Sequence, residues 1–334
     1  MFIINNNNLI KGVINMNNLK KIGLTALAGS LVASSVAVAG ELSATGSASM
    51  KVTNSSQSAA GKTVGMANSV ILAGSGELDN GMTVSMSFEL DSGVDTGTGT
   101  GPFDNHSTTV SSDSLGSLTV HGHGGSNAVS ALDTTAAGDL WDNTLGITTA
   151  ANTPKAVASG DNLVVYTLPS LVEGVSISGS YASAGENHEG STALGLTYTG
   201  IEGLSVSLGQ GNTNSAVNVD VEQTVMKASY AYGPITVGYS DSEIDHTTAA
   251  SDQETKSFNL AYTVSDAISV SYGEETIENS TTTADTEVSG YTVSYTSGGM
   301  TLSAKGVKAD DVDHLAATAN NDNEMWKLAA SFAF

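Results

Sequence analysis

Apolar and polar residues alternate along most of the chain after residue 40, most clearly in the last eleven residues. One set of alternate positions is apolar and consists of Trp326, Leu328, Ala330, Phe332 and Phe334. The other set is smaller or more polar and consists of Met325, Lys327, Ala329, Ser331 and Ala333. Because strand side chains point alternately to opposite faces, this pattern predicts a C-terminal β-strand with one apolar face. Two interpretations remain open. The strand is buried in an ordinary core, or it faces lipid in a closed barrel whose last strand pairs with its first.

The same alternation predicts sixteen strands and an all-β fold. The predicted segments are 41–53, 67–78, 82–91, 107–113, 116–122, 161–169, 173–183, 191–199, 203–211, 223–232, 234–242, 255–264, 267–277, 287–297, 299–307 and 324–334. Between the second and third strands, Asp79-Asn-Gly81 is a strong hairpin signal, because an Asn-Gly step favours the tight turns that join antiparallel strands.

The connections between these strands alternate between short and long. The short ones are 79–81, 113–117, 170–172, 200–202, 233–234, 265–266 and 297–298. The long ones are polar and acidic, and they are 54–66, 92–106, 123–160, 184–190, 212–222, 243–254, 278–286 and 308–323. A soluble sandwich has no reason to place all its long loops at one end. An outer-membrane barrel has short periplasmic turns and long external loops, so the alternation favours a transmembrane antiparallel barrel.

The tyrosines agree with a barrel wall that faces lipid. All of them lie on the apolar face of a predicted strand, and they are Tyr166, Tyr181, Tyr198, Tyr230, Tyr232, Tyr239, Tyr262, Tyr272, Tyr291 and Tyr295. Most lie toward a strand end, where the ring would reach the lipid headgroups. The opposite faces carry Ser, Thr, Asn, Gly and a few charged residues, and this composition predicts a wet lumen.

The first 39 residues predict an N-terminal extension and a cleaved signal peptide. Met1 and Met16 are both candidate starts. Positive residues end at Lys21, a small-residue apolar run covers 22–38, and Ala37-Val-Ala39 has the small-x-small pattern of a signal peptidase site. A membrane anchor would need a longer and more continuous apolar run. We therefore expect an exported domain over residues 40–334.

Charge and composition narrow the function. Removal of Lys11, Lys20 and Lys21 would change the formal net charge from −23 to −26, leaving eight lysines and no arginine against 34 carboxylates. Strong acidity without a basic patch argues against nucleic-acid binding. The absence of cysteine excludes a disulfide framework.

In its motifs and their order, the sequence resembles the general-diffusion porins of Gram-negative outer membranes, especially the alphaproteobacterial kind. The segments that carry the resemblance are the leader ending at Ala39, the hairpin 76–89, the strand 115–122 and the segment 162–169, which has a Tyr-x-x-Pro pattern. Terminal Phe334 resembles the signal that the barrel-assembly machinery reads. The resemblance implies a homotrimer of sixteen-stranded barrels in which the third external loop folds inward as a constriction.

The longest insertion has the position of that third loop, so the resemblance assigns the constriction to about 124–160. Its candidate carboxylates are Asp133, Asp139 and Asp142, with Asp161 at the downstream edge. In the family such carboxylates face a basic cluster, usually of arginines, on the barrel wall. This chain has no arginine, and its candidate substitutes are Lys51, Lys227, Lys305 and Lys327. For each aspartate the alternative is a solvated loop carboxylate.

Histidines and acidic clusters offer two further candidate sites. His121 and His123 alternate with Thr119 on one strand face, which is the pattern of polar pore lining or, with a third ligand, of a metal site. We predict lining and no metal. Acidic groups near Asp310, Glu274 and Asp241 suit a solvated rim that holds Ca²⁺ at most loosely. The sequence contains no nucleophile elbow, phosphate loop or zinc-protease motif, so no enzyme is expected.

The sequence therefore predicts an outer-membrane porin, a passive water-filled channel for small hydrophilic solutes with a preference for cations. Its partners would be outer-membrane lipid, other copies of the chain in a trimer, and the barrel-assembly machinery. A secreted β-rich adhesin is the rival from another class, although it would need an internal repeat that the sequence lacks. A barrel that serves as a structural envelope protein is the second rival.

Overall fold

A computed structural model of the chain describes residues 41–56, 61–91, 103–132, 135–137, 140, 157, 161–183, 190–214, 220–246, 252–282, 284–314 and 322–334. The predicted leader, residues 1–39, lies outside the described residues. Within the described residues, no helix is long and apolar enough to cross a membrane.

Sixteen antiparallel strands form one closed barrel, as the sequence predicted. They are β1 (Glu41–Ser55), β2 (Thr63–Glu77), β3 (Thr83–Asp91), β4 (Asn105–Ser112), β5 (Gly116–His123), β6 (Leu163–Thr167), β7 (Val175–Ala182), β8 (Gly190–Tyr198), β9 (Leu204–Asn214), β10 (Val221–Tyr232), β11 (Ile235–His246), β12 (Gln253–Thr263), β13 (Ile268–Asn279), β14 (Thr286–Ser297), β15 (Met300–Asp310) and β16 (Asn323–Ala333). Two single-turn 3₁₀ helices, Ser130–Leu132 and Val312–His314, lie in connections.

Each strand pairs with its neighbours in sequence, and β16 closes the barrel on β1. The closing register runs from Ser47 opposite Ala333 to Ser55 opposite Met325. Past this ladder, Phe334 N–H donates to the carbonyl oxygen of Gly46 (3.0 Å), and Gly46 N–H donates to that of Phe334 (2.7 Å). A barrel of this strand number is wide enough to enclose an aqueous channel.

The registers place one set of alternate residues on the outer face all round the barrel. Large apolar side chains on that face are exposed, including Leu42 at 69%, Leu194 at 59% and Leu328 at 52%. Such exposure would be costly in water and is the arrangement expected against lipid. The prediction that apolar and polar faces are separated is confirmed for the outer face.

Tyrosines occupy outward positions at two levels of the wall. Six lie toward the short-turn end, and they are Tyr166, Tyr198, Tyr230, Tyr232, Tyr262 and Tyr295. The other four lie where the outer face changes from apolar to charged: Tyr181, Tyr239, Tyr272 and Tyr291. Above two of these rings comes a carboxylate, since Tyr272 OH donates to Glu274 Oε1 (2.6 Å) and Tyr239 OH lies 3.5 Å from Asp241 Oδ2. Aromatic residues at two levels mark the two interfaces of a membrane-spanning band.

Several strands continue farther toward the long loops than the sequence predicted. The strand predicted to end at 242 ends at His246 in β11, and the one predicted to end at 307 ends at Asp310 in β15. In these extensions the outward residues are charged, for example Glu243 and Lys308. The inward residues of the extensions, for example Ile244 and Ala309, are apolar and buried. The polarity of the two faces is therefore reversed relative to the membrane-facing part of each strand, while the ladder continues.

Candidate pore constriction

A stretch of the long connection between β5 and β6 lies inside the barrel, against its wall. We call residues 127–132, 135–137, 140 and 157 the inner segment. Most of its described side chains are buried, and Ala128, Val129 and Leu140 are 0%, 0% and 4% exposed. The structure therefore places part of the predicted 124–160 loop within the lumen, as a constriction requires.

Described backbone N–H groups of the inner segment donate to side chains of the wall. From β7 to β13 the bonds are Ala128 N to Ser180 Oγ (3.0 Å), Val157 N to Gln223 Oε1 (3.1 Å), Ala136 N to Ser240 Oγ (2.9 Å), Ala137 N to Ser257 Oγ (2.8 Å) and Leu140 N to Glu275 Oε2 (3.1 Å). Apart from the 3₁₀ turn at Ser130–Leu132, the described part of the segment has no regular structure in which to pair its N–H groups, so the wall supplies acceptors. These bonds fix the segment along half the circumference of the barrel.

Glycines on the inner face make room for this close approach. A Cβ built on Gly195 would lie 2.5 Å from the carbonyl oxygen of Ala128, and one built on Gly273 would lie 2.7 Å from Ala137 Cβ. Gly209 and Gly211 would meet inner-segment side chains at 2.8 Å in the same way. The wall under the inner segment is therefore a track of small residues and hydrogen-bond acceptors, which sequence reasoning missed. The sequence does contain a signal for this arrangement, because several strands whose inward side chains predict pore lining also carry glycines at inward positions.

Two apolar clusters lie under the inner segment. Ala128 and Val129 pack with Ala193 and Val225 of the wall. Farther round, the larger cluster consists of Ala137, Leu140, Val288, Val307, Ala309, Val312 and Met325. At these positions the inner wall is dry, because the inner segment covers it and excludes water there.

Three of the four predicted wall lysines lie together. Lys305 on β15 is directly opposite Lys327 on β16, and Lys327 is opposite Thr53 on β1, two residues from inward-facing Lys51. We call Lys51, Lys305 and Lys327 the lysine patch. Directly opposed side chains have Cβ atoms about 4.5–5.5 Å apart, and like charges in that position are unfavourable.

Lys227 lies elsewhere, on β10. Its Nζ donates a hydrogen bond to the carbonyl oxygen of Thr135 at 3.1 Å. This lysine therefore holds the inner segment in place, and the prediction that groups it with the other wall lysines is not supported by its position.

At the base of the loop, His123 and Asp161 meet across the two ends of the 124–160 insertion. His123 Nδ1 lies 2.6 Å from Asp161 Oδ1, and both side chains are more than half exposed. His121 faces inward opposite Leu163 of β6. The predicted constriction carboxylates Asp133, Asp139 and Asp142 lie outside the described residues.

The pair Glu274-Glu275, predicted to be part of an acidic cluster, is divided between the two faces. Glu274 points outward to Tyr272, whereas Glu275 points inward, is 1% exposed and accepts the Leu140 N–H. The two carboxylates therefore do not form one cluster, because consecutive side chains of a strand face opposite sides. Among the described residues, no group of three or more histidine, aspartate or glutamate side chains is placed to hold a metal ion.

A sequence profile described as Gram-negative porin matches residues 23–296, most of the chain. The chain belongs to the Gram-negative porin family. Solved porin structures share its fold at low sequence identity. The anion-selective porin from Comamonas acidovorans is 16% identical, with a TM-score of 0.69 over 88% of this chain and 100% of that one. OmpT of Vibrio cholerae in its trimer form is 15% identical, with a TM-score of 0.66 over 89% of this chain and 100% of that one. No curated protein was found to match the sequence.

Proposed function

We propose that this porin is a passive, water-filled channel of the outer membrane through which small hydrophilic solutes diffuse. One observation supports this most directly: the inner segment docks within a closed barrel of sixteen strands and narrows it without being part of the wall. Flow through such a pore follows concentration gradients and needs no chemical step.

Liposome swelling tests this function. Vesicles that contain the purified protein should swell in isotonic solutions of small sugars, at rates that fall steeply with sugar size. Planar-bilayer recording of the same protein should give stable current steps. A protein that inserts as a folded barrel but passes neither sugars nor current would be a structural envelope protein, and the proposal would fail.

The channel prefers cations, and this preference is weak. The sequence has 34 carboxylates, and the long loops at the external mouth are rich in them. A pore lined by one sign of charge concentrates the opposite ion. The lysine patch has the opposite effect within the lumen, because its positive charge favours anions. It lies across from a loop whose sequence contains Asp133, Asp139 and Asp142. Salt screens charges at distances beyond about 8–10 Å at physiological strength, so charges within the constriction outweigh those at the rim.

Zero-current potentials under a KCl gradient test the preference. The wild type should favour K⁺, less so as salt rises. Replacing Asp133, Asp139 and Asp142 by Asn should reduce the preference, and replacing the lysine patch by Gln should increase it. Glu243→Gln is the matched control, because this carboxylate lies on the outer face of β11 and should not change the potential. Anion preference in the wild type would mean that the lysine patch dominates the constriction.

The functional unit is a homotrimer whose subunits meet through β1 to β5. None of the ten tyrosines lies on these strands, although they occur on most strands from β6 to β14. The tyrosines that would meet lipid headgroups are therefore concentrated on one side of the barrel, while the other side carries small and aliphatic residues such as Ala44, Ala48 and Gly74. A wall without interfacial tyrosines suits contact with another protein wall.

Terminal Phe334 serves as the recognition residue for the barrel-assembly machinery. Phe334 lies where β16 pairs with β1, and formation of the closed barrel must be completed at this pair of strands. The position of Phe334 therefore supports this role.

A further inference from the structure

The last long connection begins with a turn that folds into the barrel. We call residues 311–314 the inward turn; it follows β15 directly and contains the 3₁₀ helix Val312–His314. Val312 and His314 are 4% and 3% exposed. Asp311 and His314 have φ angles of 49° and 53°, in the left-handed region that residues other than glycine seldom adopt. Such a backbone conformation persists only where surrounding contacts hold it, so the inward turn is fixed in place.

Two hydrogen bonds join the inward turn to the start of β14 and the residues before it. Thr286 Oγ1, on the inner face of β14, donates to the carbonyl oxygen of Asp311 (3.0 Å), and Thr286 is fully buried. His314 Nδ1 lies 3.1 Å from the carbonyl oxygen of Ala284. Because a carbonyl oxygen only accepts, this nitrogen carries the proton. The inward turn therefore covers the inner wall of the barrel at its external mouth.

Val312 connects the inward turn to the constriction. It belongs to the apolar cluster that contains Ala137 and Leu140 of the inner segment and, on the wall, Val307 and Met325. Two long connections therefore share one core, since the inner segment enters it from one and the inward turn from the other. Their side chains exclude water from the same place, so the loss of one loop from the core exposes apolar surface of the other. The position of this end of the inner segment consequently depends on the inward turn.

This shared core lies directly beside the lysine patch, on its external side. Lys305 is opposite Lys327, and at the next inward position toward the long loops Val307 is opposite Met325. Both of these apolar residues are buried, as is Ala309, the next inward residue of β15. The wall between the two lysines and the external mouth is therefore dry, and ions do not reach the lysines along it.

We propose that the inward turn is a selectivity element of the channel, with Val312 and His314 as positioning residues. The inference rests on the proposed channel function. With the turn in place, water reaches the ammonium groups of the lysine patch from the pore and not from above. Without the turn, water and mobile anions would also enter above the patch, and the lysines would attract anions over a longer part of the channel. An uncharged residue, Val312, therefore helps to set the preference for cations.

A double-mutant cycle of zero-current potentials under a KCl gradient tests this role. Val312→Asn places a polar group in the shared core and should release the turn. The ratio of K⁺ to Cl⁻ permeability should then fall by about twofold or more. Where the lysine patch is replaced by Gln, the same change should leave the ratio unaltered, because the turn acts through the lysines. An unchanged ratio with the lysines present, or an equal fall with and without them, would overturn the proposal.

His314 provides a second variant that leaves the apolar core intact. His314→Ala removes the donor to the Ala284 carbonyl oxygen and should lower the permeability ratio in the same lysine-dependent way. His314→Asn keeps a side-chain N–H donor on a residue that tolerates the left-handed backbone, so its ratio should stay closer to that of the wild type. Equal ratios in His314→Ala and the wild type would overturn the role assigned to His314.

Val225→Asn is the matched control. Val225 is also buried under the inner segment, but it packs with Ala128 and Val129 and lies on β10, away from the lysine patch. Its effect on the permeability ratio should be the same with and without the lysines. A lysine-dependent fall in this control would overturn the proposal, because general loosening of the inner segment would then expose the patch. Absence of current in the wild type would instead refute the channel function itself.

Discussion

A single buried carboxylate, Glu275, connects the far end of the described inner segment to the barrel wall. Its side chain is 1% exposed, and Oε2 accepts the backbone N–H of Leu140 at 3.1 Å. A buried N–H left without an acceptor costs about 1–3 kcal/mol. This residue is therefore expected to matter more to the position of the constriction than the exposed carboxylates of the rim.

Replacing Glu275 by Ala should release this end of the segment, because the Leu140 N–H loses its acceptor. Single-channel currents should become noisier, and trypsin should cleave faster after Lys155, the only lysine in the 124–160 sequence. Glu275→Gln is the control: its amide oxygen still accepts the bond, so its behaviour should stay closer to that of the wild type. Identical currents and cleavage in Glu275→Ala and the wild type would show that the bond does not position the loop.

At the scale of elements, the constriction depends on how closely a loop approaches a sheet. Gly273 of β13 and Gly238 of β11 both lie under the inner segment, but they leave different amounts of room. A Cβ on Gly273 would lie 2.7 Å from Ala137 Cβ, whereas one on Gly238 would lie 3.5 Å from Ala136 Cβ. The first distance requires the loop to move, while the second is an ordinary contact.

Gly273→Ala should therefore push the inner segment toward the pore axis and lower single-channel conductance. Overpacking of this kind costs about 1–3 kcal/mol. Gly238→Ala is the matched control, and its conductance should equal that of the wild type. Equal conductance in both variants would mean that the segment adapts to the extra methyl group without narrowing the pore.

The C-terminal strand also acts as an element, since it closes the barrel. Phe334 exchanges two backbone hydrogen bonds with Gly46, and its ring covers that glycine. Gly46 is therefore not a free small residue on the outer wall, and a larger side chain there would displace the terminal ring.

Deleting Phe334 should lower the temperature at which the folded barrel band converts to the unfolded band on detergent gels. Two lost hydrogen bonds correspond to about 1–3 kcal/mol. Phe334→Leu retains the backbone bonds and an apolar side chain, so its transition should lie close to that of the wild type. If the deletion variant and the wild type convert at the same temperature, the end of the β16–β1 pairing does not limit the stability of the barrel.

At the scale of the whole molecule, the outer wall has two unlike sides. Interfacial tyrosines mark the side that we assign to lipid, and their absence from β1 to β5 marks the side that we assign to the neighbouring subunit.

Gly74→Trp, on the outer face of β2, should dissociate the trimer while leaving the barrel folded, because a bulky ring prevents close approach of the walls. Val237→Trp, on the outer face of β11, is the matched control and should leave the oligomer unchanged. Cross-linking and light scattering in detergent measure both. An intact Gly74→Trp trimer would place the subunit contact elsewhere.

The barrel could be predicted from the sequence, because each strand carries a local signal. Alternation with period two, the Asn-Gly turn at Asn80 and the succession of short and long connections are all readable within a few residues. They gave the sixteen strands, their order and the face of every tyrosine. Strand ends near the long loops were the exception, since there the outer face is charged and apolar side chains such as Ile244 and Ala309 face inward.

The construction of the lumen, in contrast, depends on contacts that form only in the folded barrel. The bonds that dock the inner segment join residues 52 to 135 positions apart, for example Ala128 with Ser180 and Leu140 with Glu275. Serine, glycine and glutamate at inward positions look the same in sequence whether they line water or hold a loop. Likewise, Lys305 and Lys327 meet because two strands pair in one register, and Lys227 is separated from them by the strands between β10 and β15. The pairing register between residues that are distant in sequence sets these contacts, and no local sequence pattern encodes that register.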